Sequence, residues 1–477
     1  MKAVELPSGW VSCKLGDITT KPQYGWTTKA TNKGDNLKLL RTSDISSGRV
    51  NWQTVPICAN EPGDPKKYFL KAGDIVVSRA GSVGKSFLIR EDVTDAVFAS
   101  YLVRLTPYIS SGYIDFFMKS WRYWEQIEDK SSGIAVPNVN ASKLSQIELD
   151  VAPLAEQHRI VEKIENLFRR LDKGEEELCK VHKTLSIYRQ SILKEAFAGR
   201  LVPQDPDDEP ASELLKRIAN KKAQLIKEKK IKSSRYQFED KTIESPFEIP
   251  ESWQWCRLGS IGAITGGGTP PTANSANFAK QGEGIPWLTP ADLSNYRSLY
   301  IERGSRDLSE KGLQSSSATV MPAGTVLFTS RAPIGYIAIA ANPITTNQGF
   351  KSIVPYIIDC SHFIALAMQT FASDIESASS GTTFKEAAGR VVSAFAIPFP
   401  PLAEQRRIVE KVETLFAHID KLEEEIDNAQ KLIAHFRQSI LKNAFTGRLV
   451  PQNSNDEPAI KLFARIQKIR SVATDKR

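Results

Sequence analysis

Apolar residues recur at alternating spacings of four and three along two stretches of the chain. The first runs through Ile160, Ile164, Leu167, Leu171, Leu178, Val181, Leu185, Tyr188 and Ile192. The second runs through Ile408, Val412, Leu415, Ile419, Leu422, Ile426, Ala429, Ile433, Phe436 and Ile440. This spacing is the seam of a coiled coil and predicts two long helices. A proline-bounded strand end precedes each helix (VAPLAEQ, PFPPLAEQ), and Gly199 and Gly447 stand where each should stop. The vacancy in the first seam is Gly174, opposite Leu422 in the second, and it weakens the first helix by roughly 1 kcal/mol. Elsewhere, short β-rich runs, Gly/Pro/Asn turns and a few helical stretches predict mixed α+β domains.

The two helical stretches are near-copies. Residues 153–218 align with 401–466 at a constant offset of 248 without a gap, and 40 of the 66 positions are identical. The segments before them, 1–152 and 245–400, are weaker copies of each other. Each opens on a Pro, Trp, Cys, Leu-Gly pattern: Pro7, Trp10, Cys13, Leu15 and Gly16, then Pro250, Trp253, Cys256, Leu258 and Gly259. Each holds a strand-like run ending in Ser-Arg-Ala (AGDIVVSRAGSVG at 72–84, AGTVLFTSRAPIG at 323–335), and each reaches Ser-Ser-Gly before its helix (131–133 and 379–381). The loops differ, PQYGWTTKA at 22–30 against ITGGGTPPT at 264–272. The expected architecture is therefore α+β: two mixed α/β domains separated by two long antiparallel coiled-coil helices, an internal pseudo-two-fold repeat. The four segments are 1–152, 153–244, 245–400 and 401–477. A pseudo-two-fold chain presents two different surfaces to a two-part target.

At 477 residues the chain holds about three domains of ordinary size. With 41% hydrophobic and 25% charged residues, the composition is that of a soluble globular protein. No apolar run approaches the ~18 residues that would span a membrane, and MKAVELPSGW lacks the apolar core of a secretion signal. The five cysteines form no CxxC pair, so reduced thiols in the cytoplasm are expected. No HExxH and no Cys/His cluster points to a metal. The net charge is +8, yet residues 211–235 carry +7 and residues 459–477 carry +5, leaving −4 on the rest. The basic excess thus sits in two equivalent tails, as phosphate-contacting surfaces or as solvated helix faces.

Three motifs are poor matches to catalytic sites. Arg79-Ala-Gly-Ser-Val-Gly-Lys85-Ser86 ends like a phosphate-binding loop but has Arg79 at the first glycine position, and the second copy lacks Gly-Lys-Ser. Gly266-Gly-Gly-Thr-Pro270 is too short for a dinucleotide fingerprint. Pro398-Phe-Pro-Pro401 lacks the polar side chain that an adenine methyltransferase needs to accept from its target amino group.

The PPLAEQ helix start, the QSILK/AF/GRLVPQ block, the two Trp-opening domains and the Ser-Arg-Ala strands resemble the specificity subunit of type I restriction–modification systems. The resemblance covers essentially the whole chain. It implies a non-catalytic, cytoplasmic, sequence-specific DNA-binding subunit that holds no metal. Each recognition domain would read one half of a bipartite, asymmetric double-stranded DNA site. The helices would set the spacer and dock two modification (adenine-N6 methyltransferase) subunits. With two restriction subunits added, unmodified DNA would be cleaved. S-adenosylmethionine, ATP and Mg2+ would be used by those other subunits, none by this chain, which needs neither a membrane nor a second copy of itself.

Groove reading requires polar side chains on exposed loops. The first domain offers Tyr24, Trp26, Thr27, Thr28, Lys29, Arg41, Thr42, Ser43, Arg79, Ser82, Lys85 and Asn138. The second offers Thr269, Thr289, Ser330, Arg331, Asn347, Gln348, Thr382, Thr383 and Lys385. Readout positions should differ between two domains that read different half-sites. The Ser-Arg-Ala motifs equate Arg79 with Arg331, so Tyr24–Lys29 and Arg41 are the better candidates for specificity. Glu156, Gln157, Arg159, Glu162 and Lys163, with their copies Glu404, Gln405, Arg407, Glu410 and Lys411, read as outer helix faces kept for partner docking. Two other readings are a structural coiled-coil adaptor and a nucleotide-dependent enzyme using residues 79–86.

Overall fold

The computed structural model describes residues 6–131, 138–231, 243, 246–296, 298–331, 333–379 and 386–474. The chain divides into two compact units. Unit 1 comprises residues 1–180 and 426–477, and unit 2 comprises residues 181–425.

In unit 1 the apolar runs IVVS and LVRL are buried as neighbouring strands. The first four-stranded sheet is antiparallel, in the order Gln23–Tyr24, Leu102–Leu105, Ile75–Ser78, Ser86–Leu88. A second runs Ala30–Thr31, Ile57–Cys58, Lys38–Leu40, Ala96–Phe98, its last pair parallel. The Trp-opening segment forms a third, small sheet, Val11–Lys14 against Glu148–Val151.

Unit 2 repeats this plan. A five-stranded sheet runs Gly262–Gly266, Lys351–Pro355, Val326–Ser330, Ile334–Ala340, Tyr300–Ile301. A four-stranded sheet runs Phe278–Ala279, Arg306–Leu308, Ile285–Leu288, Thr345–Thr346. Gln254–Arg257 pairs with Ala396–Phe399.

The two long helices are Leu154–Phe197 and Leu402–Ala444. Each ends near a glycine of positive φ, Gly199 at 72° and Gly447 at 70°. A Cβ there would lie 2.4 Å from Pro250 Cγ or 2.3 Å from Pro7 Cγ, so both backbone conformation and space demand glycine. Each GRLVPQ tail leads to a further helix, Ala211–Lys227 and Ala459–Thr474. The first residue of each donates its backbone N–H to the Trp-opening segment: Ala211 to Ser252 at 2.9 Å, Ala459 to Gly9 at 2.8 Å.

The helix ends are core. In unit 1, Trp10, Tyr113, Phe116 and Phe117 pack with Ile160 and Ile164 of the first helix, Leu441 and Phe445 at the end of the second, and Leu462 of its tail. Phe445 lies 5.1 Å from Tyr113 and 5.6 Å from Phe117, ring centre to ring centre. Its copy Phe197 does the same in unit 2, 5.3 Å from Phe363 and 5.2 Å from Phe371. The middle of the seam differs from expectation. Val181, Tyr188, Leu422 and Phe436 are exposed, whereas Ile160, Ile164, Leu185, Ile192, Ile408, Val412, Ile419 and Ile426 are buried. Burial is strongest where the sheets and tail helices add a second packing surface, which the heptad spacing does not encode.

Candidate nucleic-acid interface

The loop that diverges most is fastened identically in both units. In unit 1, a Cβ on Gly25 would meet the carbonyl oxygens of Phe98 and Ala99 at 2.2 and 2.3 Å. In unit 2, a Cβ on Gly267 would meet those of Thr346 and Asn347 at 2.2 and 2.1 Å. The next residue closes the same rung: Trp26 N–H donates to Phe98 O at 2.8 Å, and Gly268 N–H to Thr346 O at 2.9 Å. Gly25 and Gly267 are therefore equivalent, and so are the residues beside them, Tyr24 and Gly266, Trp26 and Gly268.

A second correspondence lies at the start of a short helix. Arg41 and Thr289 each precede a short helix and donate their backbone N–H to the aspartate three residues on, Asp44 at 2.8 Å and Asp292 at 2.7 Å. The Arg41 side chain is also committed to Asp44 through two hydrogen bonds at 3.1 and 2.9 Å, which hold its pKa above the usual value. Its positive charge is thus largely matched within the protein.

The third correspondence corrects the Ser-Arg-Ala alignment. Ser78 faces Leu102, and Thr329 faces Phe350, the equivalent rung. Arg79 N–H then donates to Tyr101 O and its carbonyl accepts from Val139 N–H, at 2.9 and 3.0 Å. Ser330 does the same with Gly349 and Ala387, at 2.7 and 2.9 Å. Arg79 therefore matches Ser330, not Arg331. The strand Val326–Ser330 shifts register against its neighbour between Phe328 and Ser330, and the motif slips by one position there.

The other candidates fall into distinct states. Thr27, Ser43, Lys29 and Lys85 are exposed and Thr28, Thr42 and Ser82 half-buried. Lys85 Nζ donates to Ser46 O at 2.7 Å, and Trp26 Nε1 to Asn60 O at 2.9 Å. Thr269 Oγ1 donates to Gln348 Oε1. Asn347 Oδ1 accepts from Gly349 N–H at 2.8 Å, which makes it a turn-forming residue. Ser330 is fully buried and its hydroxyl donates to Gly349 O at 3.1 Å, so it is scaffold and not a reading residue. Arg331 is half-buried. Thr382, Thr383 and Lys385 lie outside the described residues, as do the Ser-Ser-Gly segments in large part. Tyr101, which no local sequence pattern marks, is exposed, and its carbonyl accepts from Arg79 N–H. Residues 79–86 run into the strand Ser86–Leu88, not into the helix N-terminus that a phosphate-binding loop requires, which removes the nucleotide-site reading.

The supposed outer helix face is corrected at six positions. Glu156, Gln157, Glu404 and Gln405 are buried, each at most 1% exposed. Trp10 Nε1 donates to Glu156 Oε2 at 3.1 Å, and Trp253 Nε1 to Glu404 Oε2 at 2.9 Å. Gln157 and Gln405 donate to Ala152 O and Pro400 O at 2.8 and 2.9 Å. Arg159 pairs with Asp456 and Arg407 with Asp208 at 2.6 Å, so each tail is tied to a helix start. Burial raises the pKa of Glu156 and of Glu404, against the lowering effect of their hydrogen bonds. Polarity is kept here because these side chains pair inside the fold. Glu162, Lys163, Glu410 and Lys411 are exposed.

Within each unit the long helices are also tied to one another. In unit 1, Arg437 lies over the Phe168 ring at 5.3 Å and donates to Asp172 at 2.5 Å and Glu175 at 3.1 Å. In unit 2 the residues at the 248 offset repeat the cluster. Arg189 lies over Phe416 at 5.0 Å and donates to Asp420 and Glu423, the latter at 3.2 Å. Among the described residues no helix is long and apolar enough to cross a membrane, and no group of three His, Cys, Asp or Glu is placed to hold a metal.

A family model described as the type I restriction modification DNA specificity domain matches residues 7–180 and 250–431. The chain belongs to this family. The MjaIX specificity subunit of Methanocaldococcus jannaschii is 36% identical over 200 residues, which cover 42% of this chain and 45% of that protein. The EcoAI specificity subunit of Escherichia coli is 30% identical over 333 residues, 58% of this chain and 54% of that one. The chain thus spans about half the length of these two relatives. The StySPI specificity subunit of Salmonella potsdam aligns throughout, 24% identical over 525 residues, with 100% and 99% covered. Two solved structures share the fold. The HsdS subunit from Thermoanaerobacter tengcongensis has a TM-score of 0.57 at 19% identity, covering 94% of this chain and 99% of that one. A chain solved for the complex assembly and conformational transition of the type I R-M system has a TM-score of 0.67 at 20% identity, covering 93% and 100%.

Proposed function

We propose that this protein is the DNA-reading subunit of a type I restriction–modification complex. Residues 1–152 and 245–400 each read one half of a bipartite, asymmetric site in double-stranded DNA. The long helices form an antiparallel coiled-coil spacer with pseudo-two-fold symmetry. The chain itself is non-catalytic and cytoplasmic. It directs two modification subunits to methylate adenine at N6 and, with two restriction subunits, directs cleavage of unmodified DNA; S-adenosylmethionine, ATP and Mg2+ belong to those subunits.

One observation carries this reading. Two scaffolds are fastened at equivalent points, while the side chains at the fastening points differ: Tyr24 against Gly266, Trp26 against Gly268, Arg41 against Thr289, Arg79 against Ser330. A purely structural repeat has no need for such differences, whereas two readers of different half-sites do. The Arg437 cluster and its copy at Arg189 support antiparallel pairing, since high-numbered residues of one helix meet low-numbered residues of the other in both units. The exposed Glu162, Lys163, Glu410 and Lys411 support docking of one modification subunit at each copy.

The test is co-expression with the modification subunit in a host free of adenine methylation, followed by base-modification mapping of a plasmid. N6-methyladenine confined to one split, asymmetric motif, and absent without this chain, is the expected result. Methylation independent of the chain, or none from an intact soluble complex, moves the assignment to a structural adaptor.

A further inference from the structure

The corrected register separates Arg79 from Arg331 and makes Arg79 a feature of unit 1 alone. Its backbone is fixed on both sides, to Tyr101 and to Val139. Its guanidinium carbon lies over the Tyr24 ring, 4.9 Å from the centre. Tyr24 is itself pinned, its hydroxyl accepting from Ala141 N–H at 3.1 Å. The Nε of Arg79 is buried and has no acceptor among the described residues. No carboxylate among them pairs with this guanidinium, in contrast to Arg41, Arg122 and Arg159, each held by an aspartate. In unit 2 both members of the stack are missing: Gly266 stands for Tyr24 and Ser330 for Arg79.

We infer that Arg79 is a base-reading side chain in the half-site of unit 1, that the base is guanine, and that Tyr24 is its positioning residue. The inference rests on the DNA-reading function proposed above. A planar cation fixed over a ring and covered at Nε offers one free edge, the two Nη groups, as parallel donors. Guanine presents the matching pair of acceptors, O6 and N7, in the major groove. A phosphate contact can be made by lysine as well as by arginine and carries no sequence information, so experiment separates it from base reading. Tyr101, whose carbonyl accepts from Arg79 N–H, is exposed. With neither ring nor cation at the matching position, unit 2 reads its half-site by other means.

The experiment compares the motif methylated by the full complex for the wild-type chain, Arg79→Ala, Arg79→Lys and Tyr24→Ala. The wild type is expected to require guanine at one position of one half-site. Arg79→Ala should lower the preference for guanine at that single position by about tenfold or more, with every other position unchanged. Arg79→Lys should relax the same position, since an ammonium lacks the paired donors, and Tyr24→Ala should relax it partially. An unchanged motif in Arg79→Ala overturns the inference. So does a uniform fall in methylation across all sites from a variant that still assembles, the signature of a phosphate contact. If the wild-type chain directs no motif at all, the proposed function fails first, and this inference falls with it.

Discussion

The indole nitrogen of Trp10 donates to the buried carboxylate of Glu156, 146 residues along the chain, at 3.1 Å. It fastens the start of unit 1 to the start of the first long helix. Trp253 and Glu404 repeat the bond, but with a difference: Glu404 Oε1 also accepts from Gln204 Nε2 at 2.6 Å, whereas Glu156 Oε1 has no hydrogen-bond partner among the described residues.

The difference predicts unequal effects of the same substitution. Glu156→Gln keeps the acceptor for Trp10 and removes a buried charge. Glu404→Gln sets an amide N–H against one of two donors and should cost about 1–3 kcal/mol. The pH dependence follows from the raised pKa of Glu156, whose main cause is burial. Folding favours its protonated form, so its contribution to stability falls as pH rises from the ordinary carboxylate value through the raised one. Glu156→Gln should therefore gain most over wild type above that window and lose the advantage on acidification. Urea unfolding of the three proteins at several pH values checks this; a Glu156→Gln variant less stable than Glu404→Gln contradicts it.

Gly25→Ala and Gly267→Ala should each destabilise their unit by roughly 1–3 kcal/mol or more, because the new Cβ would overlap backbone oxygens that cannot move without breaking the sheet rung. Among the described residues a Cβ on Gly266 meets nothing within 4 Å, so Gly266→Ala should change stability by less than about 0.5 kcal/mol. Chemical denaturation distinguishes the neighbours.

Removing seven residues from both long helices, between the Asp172–Arg437 and Arg189–Asp420 contacts, leaves both clusters intact. The spacer should shorten by about 10 Å at ~1.5 Å per residue, which is about three base pairs of duplex at ~3.4 Å each. Removing the heptad from one helix alone misaligns one cluster against the other and should abolish methylation. Motif mapping reads both; an unchanged spacer after the double deletion rules out the ruler role.

Exchange of residues 1–152 for another recognition domain should change one half of the methylated motif and leave the other. The incoming domain must supply the equivalents of Trp10, Tyr113 and Phe117, which pack on the helix ends. A change in both halves removes the modular reading.

Much of the fold was legible in residue spacing. The heptads and the two glycines placed both long helices, because a helix that packs along its length writes its period into the chain and a positive φ selects glycine. Elsewhere pattern misled. Glu156 and Gln157 look like a solvated face, since a buried polar residue is indistinguishable from an exposed one until its partner, Trp10 or a backbone carbonyl, is located. Arg79 and Arg331 look equivalent because the letters around them agree, yet a bulge of one residue moves Arg331 past the rung that Arg79 occupies. The paired loops at 22–30 and 264–272 set Gly25 opposite Gly267, but the reason was hidden, as the clash that demands glycine comes from residues more than 70 positions away in each unit.

The division into units bears on the order of synthesis. Unit 2 is one continuous stretch, 181–425, whereas unit 1 is closed by residues 426–477. As the chain emerges, Leu441, Phe445 and Leu462, which share a cluster with Tyr113, Phe117 and Ile160, are still to be made when unit 2 is complete. The layer of the unit 1 core in which Phe445 meets Tyr113 and Phe117 can therefore close only after unit 2 has been made, although the sheets of unit 1 have their own clusters, such as Leu40, Val76 and Phe98, from the start.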